Sequence, residues 1–109
     1  MKTKTIHINA KEWFDKINGN SYFAGTITIN FGADTEKTFL MPFQYGYGSQ
    51  YEIEAKKILT EFNIISADYG QSLYNSCKEN NIILSGGKYL NYLKRDLKQI
   101  ETNYNNNLK

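Results

Sequence analysis

Nucleophilic catalysis in this chain could come from one pair of residues, because His7 is its single histidine and Cys77 its single cysteine. A thiol becomes a useful nucleophile when a base stands within hydrogen-bond reach, so the fold would have to bring these two distant positions together. Cys77 instead falls on the apolar stripe of a short helical segment with Leu73 and Tyr74, and a buried cysteine of that kind is inert. Zinc sites want several Cys or His ligands, more than the sequence holds. Asp15, Asp34 and Asp68 lie apart, each where a turn or a helix cap would use it. Only the fold could gather them into an acid pair or a hard-cation site. The expectation is a protein with no catalytic residue, no metal site and no cofactor.

Binding chemistry is better represented. The stretch QYGYGSQ, residues 44–50, has the outline of a glycine-rich loop feeding a helix N-terminus, where backbone N–H groups can hold an anion. It lacks the spacing and the lysine of a phosphate loop, so a structural hinge is the simpler reading. Gly46 and Gly48 let the chain leave a strand and turn into a helix. Tyr47, set between them, either stands out at the tip of the turn as a contact residue or folds back over the helix start. Tyrosine and tryptophan anchor interfaces at low entropic cost. Trp13, Phe14, Tyr22, Tyr45, Tyr47 and Tyr51 are more rings than so small a domain is expected to bury. Trp13, Tyr22, Tyr45 and Tyr47, with Gln50 beside them, are the candidate partner-binding residues. Tyr22, Thr26 and Thr28 also share the outward face of a strand, and exposed aromatics on a sheet can stack single-stranded bases. The signature of the common RNA-binding sheet domain is missing, however.

Charge and composition narrow the classes. The chain has 109 residues, which fits one domain, with 13 Lys and Arg against 11 Asp and Glu, a net charge of +2 and a pI near 8.6. A dedicated nucleic-acid binder is usually more basic and more clustered, so nucleic acid is permitted as a partner but not demanded. Nine tyrosines accompany abundant Lys, Ile and Asn. All four are residues of AT-rich codons, so codon bias competes with function as the source of the aromatic excess. The lone cysteine suits a reducing compartment. No apolar run has the length of a signal-peptide core or a membrane span. A soluble cytoplasmic protein with no membrane partner is expected.

These residues need elements to position them. TIHIN alternates as a half-buried strand does. Trp13, Phe14 and Ile17 at i, i+1 and i+4 suggest a short helical turn, closed by Asn18, Gly19 and Asn20. SYFAGTITINF alternates most clearly, with Phe23, Gly25, Ile27, Ile29 and Phe31 toward the core and Tyr22, Ala24, Thr26, Thr28 and Asn30 away from it. TFLMPFQY places Phe39, Met41, Phe43 and Tyr45 on one face. Pro42 cannot donate to a ladder, which puts this strand at an edge or beside a bulge, and the two strands read as an antiparallel hairpin. Ser49 and Glu52 have capping-box spacing before a helix whose stripe is Tyr51, Ala55, Ile58, Leu59 and Phe62. Asp68 and Gln71 offer a second box for a short helix through Cys77. IILS suggests a short strand and GG a break. From Lys88 onward, Leu90, Leu93, Leu97, Ile100 and Tyr104 give a packed helix. The expected fold is α+β: a small antiparallel sheet of three to four strands, covered on one face by helices, with the C-terminal half helical. It forms a single domain over residues 1–104 with a flexible tail over 105–109.

AKEWFDKINGNSYF followed by PFQYGYGSQY resembles a loose family of small proteins encoded by bacteriophages and other mobile elements, the likeness running over roughly residues 6–62. It brings no functional residues with it. What the resemblance implies is origin: small, cysteine-poor phage proteins include many inhibitors of host defence, anti-CRISPR proteins among them, which act by occupying a surface on a host protein. The expected function is a non-enzymatic accessory protein that binds and inhibits a host defence protein, such as a CRISPR effector, in the bacterial host cytoplasm. The alternative is a small single-stranded nucleic-acid-binding protein using the aromatic sheet face.

Overall fold

The computed structural model describes residues 3–65 and 71–107. In it, β1 (Thr5–Asp15), β2 (Asn20–Ile29) and β3 (Lys37–Tyr45) form an antiparallel meander, and α1 (Gln50–Glu61) and α2 (Leu73–Glu79) follow. β4 (Ile83–Tyr89) then returns to the sheet, and α3 (Lys94–Asn107) is the last element. The α+β class expected from the sequence is the class observed. Strand order is β3-β2-β1-β4, and β4 lies parallel to β1, so the sheet is mixed. A parallel strand needs a crossover, which α1 and α2 supply.

Both faces of the sheet are covered. Ile6, Ile8, Phe23, Ile27, Ile29 and Met41 lie on the inner face, and Ala55 and Leu59 of α1 with Leu73 and Cys77 of α2 complete this core. α3 lies on the outer face, chiefly over β2 and β3. Leu97 is fully buried there, and the Tyr104 hydroxyl donates to the Thr38 carbonyl at 3.3 Å. The expectation of one covered face is corrected, and the reason lies in the outer residues. Ala24, Thr26, Thr28 and Thr38 make a low floor on which a helix can rest.

Three local departures from the expected pattern shape the functional end of the molecule. First, β1 runs on through residues 11–15, where a helical turn was expected: Trp13 stands opposite Tyr22 and Phe14 opposite Ser21. An isolated helical turn is costly to nucleate, whereas aromatic residues fit a pleated surface with a partner strand at hand. Asp15 then fixes the reversal. Its carboxylate accepts from the backbone N–H of Ile17 at 3.0 Å and from the Asn18 side-chain amide at 2.8 Å. The Asn18 amide is also the main reason that the Asp15 carboxyl is held below its ordinary value of 3.8.

Second, Gly25 pairs with Met41 but Phe23 pairs with Gln44, so β3 carries one extra residue at Pro42 and Phe43. Proline therefore sits both on an edge strand and at a bulge, the two places a sheet tolerates it. The bulge moves Phe43 and Tyr45, expected beside Phe39 and Met41 on the core face, to the outer face, because a one-residue slip exchanges faces. Third, β2 ends at Ile29. Asn30 takes φ +52° and turns inward, its Oδ1 accepting from the Lys4 N–H at 2.7 Å and its Nδ2 donating to Thr35 at 3.0 Å. Asn30 is accordingly buried and Phe31 is 77% exposed, the reverse of the expected arrangement.

Helix starts differ as well. α1 begins where expected but without its capping box: Ser49 has φ −88° and ψ 10° and makes no side-chain cap bond. An N-cap side chain reaches the N2 or N3 amide from extended torsions, which Ser49 lacks. The Glu52 carboxylate accepts from the Tyr51 hydroxyl instead, at 3.2 Å. Asp68 lies outside the described residues, and α2 is capped by Ser72, whose Oγ accepts from the Asn75 N–H at 3.2 Å. Gly86 and Gly87 continue β4 where a break was expected, and α3 starts only at Lys94, leaving Leu90 and Leu93 exposed ahead of it. Gly86 has φ +86°, and a Cβ there would run into the Ile8 carbonyl, so glycine is what lets β4 close on β1.

Candidate interaction surface at the hairpin end

Trp13, Tyr22, Phe43 and Tyr45 meet across three strands. Residues directly opposite in an antiparallel pair share a face, which puts Trp13 beside Tyr22 and Tyr22 beside Tyr45. Ring centroids of Trp13 and Tyr22 are 5.4 Å apart at 26°, and those of Tyr22 and Phe43 are 5.2 Å apart at 8°. Tyr45, 59% exposed, meets Tyr22 edge-on at 5.9 Å. Such pairs are worth about 0.5–1.5 kcal/mol each beyond their burial, so the rings hold one another in place. α3 adds cations: the Lys94 Nζ lies 5.7 Å from the Trp13 ring and the Lys98 Nζ 4.4 Å from the Phe43 ring.

Around the same end, toward the inner face, Glu12, Ser21, Tyr47, Tyr51, Lys88 and Leu90 line a cleft of about 510 Å³. Its floor is an ion pair, Lys88 Nζ to Glu12 Oε1 at 2.7 Å, with the two side chains only 9% and 13% exposed. The same ammonium donates to the Gly48 carbonyl at 2.8 Å and lies 5.8 Å from the Tyr51 ring. One buried cation therefore ties together β1, β4 and the turn into α1. That turn presents Tyr47, which is 70% exposed. Gly46 allows the turn to close, since a Cβ there would stand 2.7 Å from both the Gln50 Cγ and the Phe23 ring. Burial raises the Tyr51 hydroxyl above its ordinary value of 10.0, and the neighbouring Glu52 charge adds to the effect.

All five residues expected to touch a partner therefore lie at one end of the molecule. Trp13, Tyr22 and Tyr45 belong to the ring cluster, Tyr47 stands on the rim of the cleft, and Gln50 is the exposed first residue of α1. Phe43, half-buried, was missed because the bulge that moves it to the outer face is invisible to a strict two-residue alternation. Lys94 and Lys98 were missed because two lysines one helical turn apart are a common surface pattern. Among the described residues, twelve large apolar side chains are strongly exposed, and six of them, Phe14, Ile17, Tyr45, Tyr47, Leu90 and Leu93, are at this end. The segment bearing Leu90 and Leu93 is held here by the Tyr92 N–H, which donates to the Glu12 carbonyl at 3.0 Å. Exposed apolar side chains scattered singly need no explanation, whereas six gathered at one end of a sheet, on both of its sides, make that end a candidate interaction surface.

The residues with catalytic chemistry are separated. His7 is on the outer face opposite Thr28, with its Nδ1 2.9 Å from the Ser85 Oγ. Cys77 is in the core on the other side of the sheet, where burial pushes its thiol above the ordinary 9.0. Among the described residues, no three His, Cys, Asp or Glu side chains are grouped to hold a metal ion, and no helix is long and apolar enough to cross a membrane. No family model, curated protein or solved structure matches the chain, so its functional reading rests on this geometry and on the sequence itself.

Proposed function

We propose that this chain is a non-enzymatic binding protein that docks on another protein through the hairpin end of its sheet. The observation that carries the reading is the gathering there of exposed apolar side chains around a stacked ring cluster. Aromatic side chains already held in place lose little entropy on docking. Ile17, Leu90 and Leu93 extend the surface with aliphatic area that an apolar protein surface can cover. The resemblance of WFDKINGNSY and PFQYGYG to small phage and mobile-element proteins supports a finer form of the proposal. In that form the chain is a phage accessory protein that occupies and inhibits a host defence protein, such as a CRISPR effector, in the bacterial cytoplasm. The test is capture from a bacterial host lysate on the immobilised protein, read by mass spectrometry, beside a Tyr45→Ala, Tyr47→Ala double variant. A protein retained by the wild type and lost from the variant supports the reading. Capture that the variant leaves unchanged, or no specific capture, counts against it.

Single-stranded nucleic acid is the second reading, and Lys94 and Lys98 beside the rings favour it. Base stacking needs a free ring face, however. Here Trp13, Tyr22 and Phe43 stack on one another, a lysine lies over each of Trp13 and Phe43, and α3 rests on the threonine half of the face. Protein docking can use ring edges as well as faces. An electrophoretic titration with single-stranded DNA and RNA at two salt concentrations separates the readings, because phosphate-driven binding weakens steeply with salt.

A further inference from the structure

The two edges of the sheet are built differently. β3 carries Pro42 and a bulge on its strand, devices that discourage pairing with another chain. β4 carries neither. Its sequence, ILSGGKY, has no proline, and its one charge, Lys88, is drawn away to Glu12. The Ile83 N–H donates to the Lys4 carbonyl at 3.0 Å, so Ile83 directs its backbone groups toward β1. By strand alternation Ser85, Gly87 and Tyr89 do the same, while Leu84, Gly86 and Lys88 direct theirs away from the sheet. No backbone partner among the described residues meets those three on that side. Ile83, 69% exposed, and Tyr89, 49% exposed, stand at the two ends of this open edge.

We infer that β4 is a homodimerisation edge, pairing antiparallel with β4 of a second copy about a two-fold axis at Gly86. The sequence of the strand favours a second copy over a foreign strand. Centred on Gly86, the pairing sets Ile83 opposite the partner's Tyr89, Tyr89 opposite the partner's Ile83, and Gly86 opposite its own equivalent. Ile83 and Tyr89 are an even number of residues apart and so share one face, here the outer face with Lys11. Two aromatic–β-branched cross-strand pairs would thus form from side chains that a single copy leaves in water. Leu84 meets the partner's Lys88, whose charge is already neutralised by Glu12. The contact is self-complementary and closes on itself, as a two-fold interface must. It joins two four-stranded sheets into one of eight strands, with the two hairpin ends pointing in opposite directions. The pairing uses the edge of the sheet and not the ring cluster, and at its Tyr89 end it adjoins Leu90 of the proposed docking surface.

The experiment is sedimentation velocity on the full chain from low micromolar to near-millimolar concentration, with amide hydrogen exchange at both extremes. The wild type should shift from monomer to dimer. The Leu84 and Lys88 amides should gain protection as it does, while the unpaired side of β3 should not. Ile83→Lys and Tyr89→Lys alter exposed side chains and should keep the native thermal melt, while each weakens the dimer by about tenfold through loss of both symmetric pairs. A protein that stays monomeric throughout overturns the inference. So does a dimer that neither variant weakens, or one that forms without protecting Leu84 and Lys88. Protection of the two amides needs no variant, so the outcome is decided even where a substitution disturbs folding.

Discussion

Replacing Lys88 by methionine should cost the fold about 3 kcal/mol, the lower end of what breaking a buried ion pair costs. The lower end applies because Glu12 keeps 13% of its side-chain exposure at the cleft and can recover some hydration there. Three interactions end at once: the 2.7 Å pair with Glu12, the 2.8 Å bond to the Gly48 carbonyl and the ammonium over the Tyr51 ring. Most of the loss is the penalty of leaving the Glu12 carboxylate buried without a partner, so a companion Glu12→Gln substitution should relieve it. The coupling in a double-mutant cycle should be about 2 kcal/mol. Urea unfolding followed by far-ultraviolet circular dichroism measures each term. A loss below about 1 kcal/mol for Lys88→Met, the range of a surface pair, would refute the claim that this cation is structural. Additive single losses would refute it equally. Amide exchange in residues 46–49 should quicken in Lys88→Met, because the ammonium fixes the turn that presents Tyr47.

Further outcomes follow from the corrected register and caps. Ser49→Ala should change stability by less than about 0.5 kcal/mol and Ser72→Ala should lower it by about 1 kcal/mol, because Ser72 alone of the two makes a cap bond; a thermal melt ranking them in the opposite order would contradict the helix starts. Ile29→Ala should cost about 2–5 kcal/mol as a core truncation, while Phe31→Ala, an exposed ring past the end of β2, should stay within about 0.5 kcal/mol; both read out in the same urea series. Cys77 should react slowly with thiol reagents at neutral pH. Because burial raises its folded value above 9.0, its contribution to stability is complete below that value and is lost as pH rises through the folded one. Cys77→Ala should therefore flatten the alkaline end of the stability profile.

Much of the fold was legible because period-two alternation is unambiguous over Ile6 to Ile8 and over Phe23 to Ile29, where every second side chain meets the core. α1 was legible from Ala55 and Leu59 at helical spacing. Failures came where one residue decided a face. Pro42 left an edge or a bulge open, but no local signal shows that β3 takes up an extra residue there, and with that residue went the true neighbours of Phe43 and Tyr45. Trp13, Phe14 and Ile17 fit a helical turn as well as a strand end, and only the partner strand decides between them. Leu90 and Leu93 fitted a helical stripe, yet the chain uses them as exposed loop residues because the Tyr92 N–H is bonded to Glu12. For the site, residue type was informative and location was not. The aromatics singled out do gather at one end, but the lysines over them and the buried pair beneath Tyr47 arise from contacts between segments far apart in sequence.

Docking through the hairpin end is tested by the affinity of the captured partner for Tyr47→Ala beside Ile53→Ala. Both residues are strongly exposed, Tyr47 at the hairpin end and Ile53 on the groove between α1 and α2, so neither change should move the melt. Tyr47→Ala should lose more than about 1 kcal/mol of binding, the threshold of an energetically important contact, while Ile53→Ala should bind as the wild type does. Full affinity in Tyr47→Ala with a loss in Ile53→Ala would place the docking surface on the helices and contradict docking through the hairpin end.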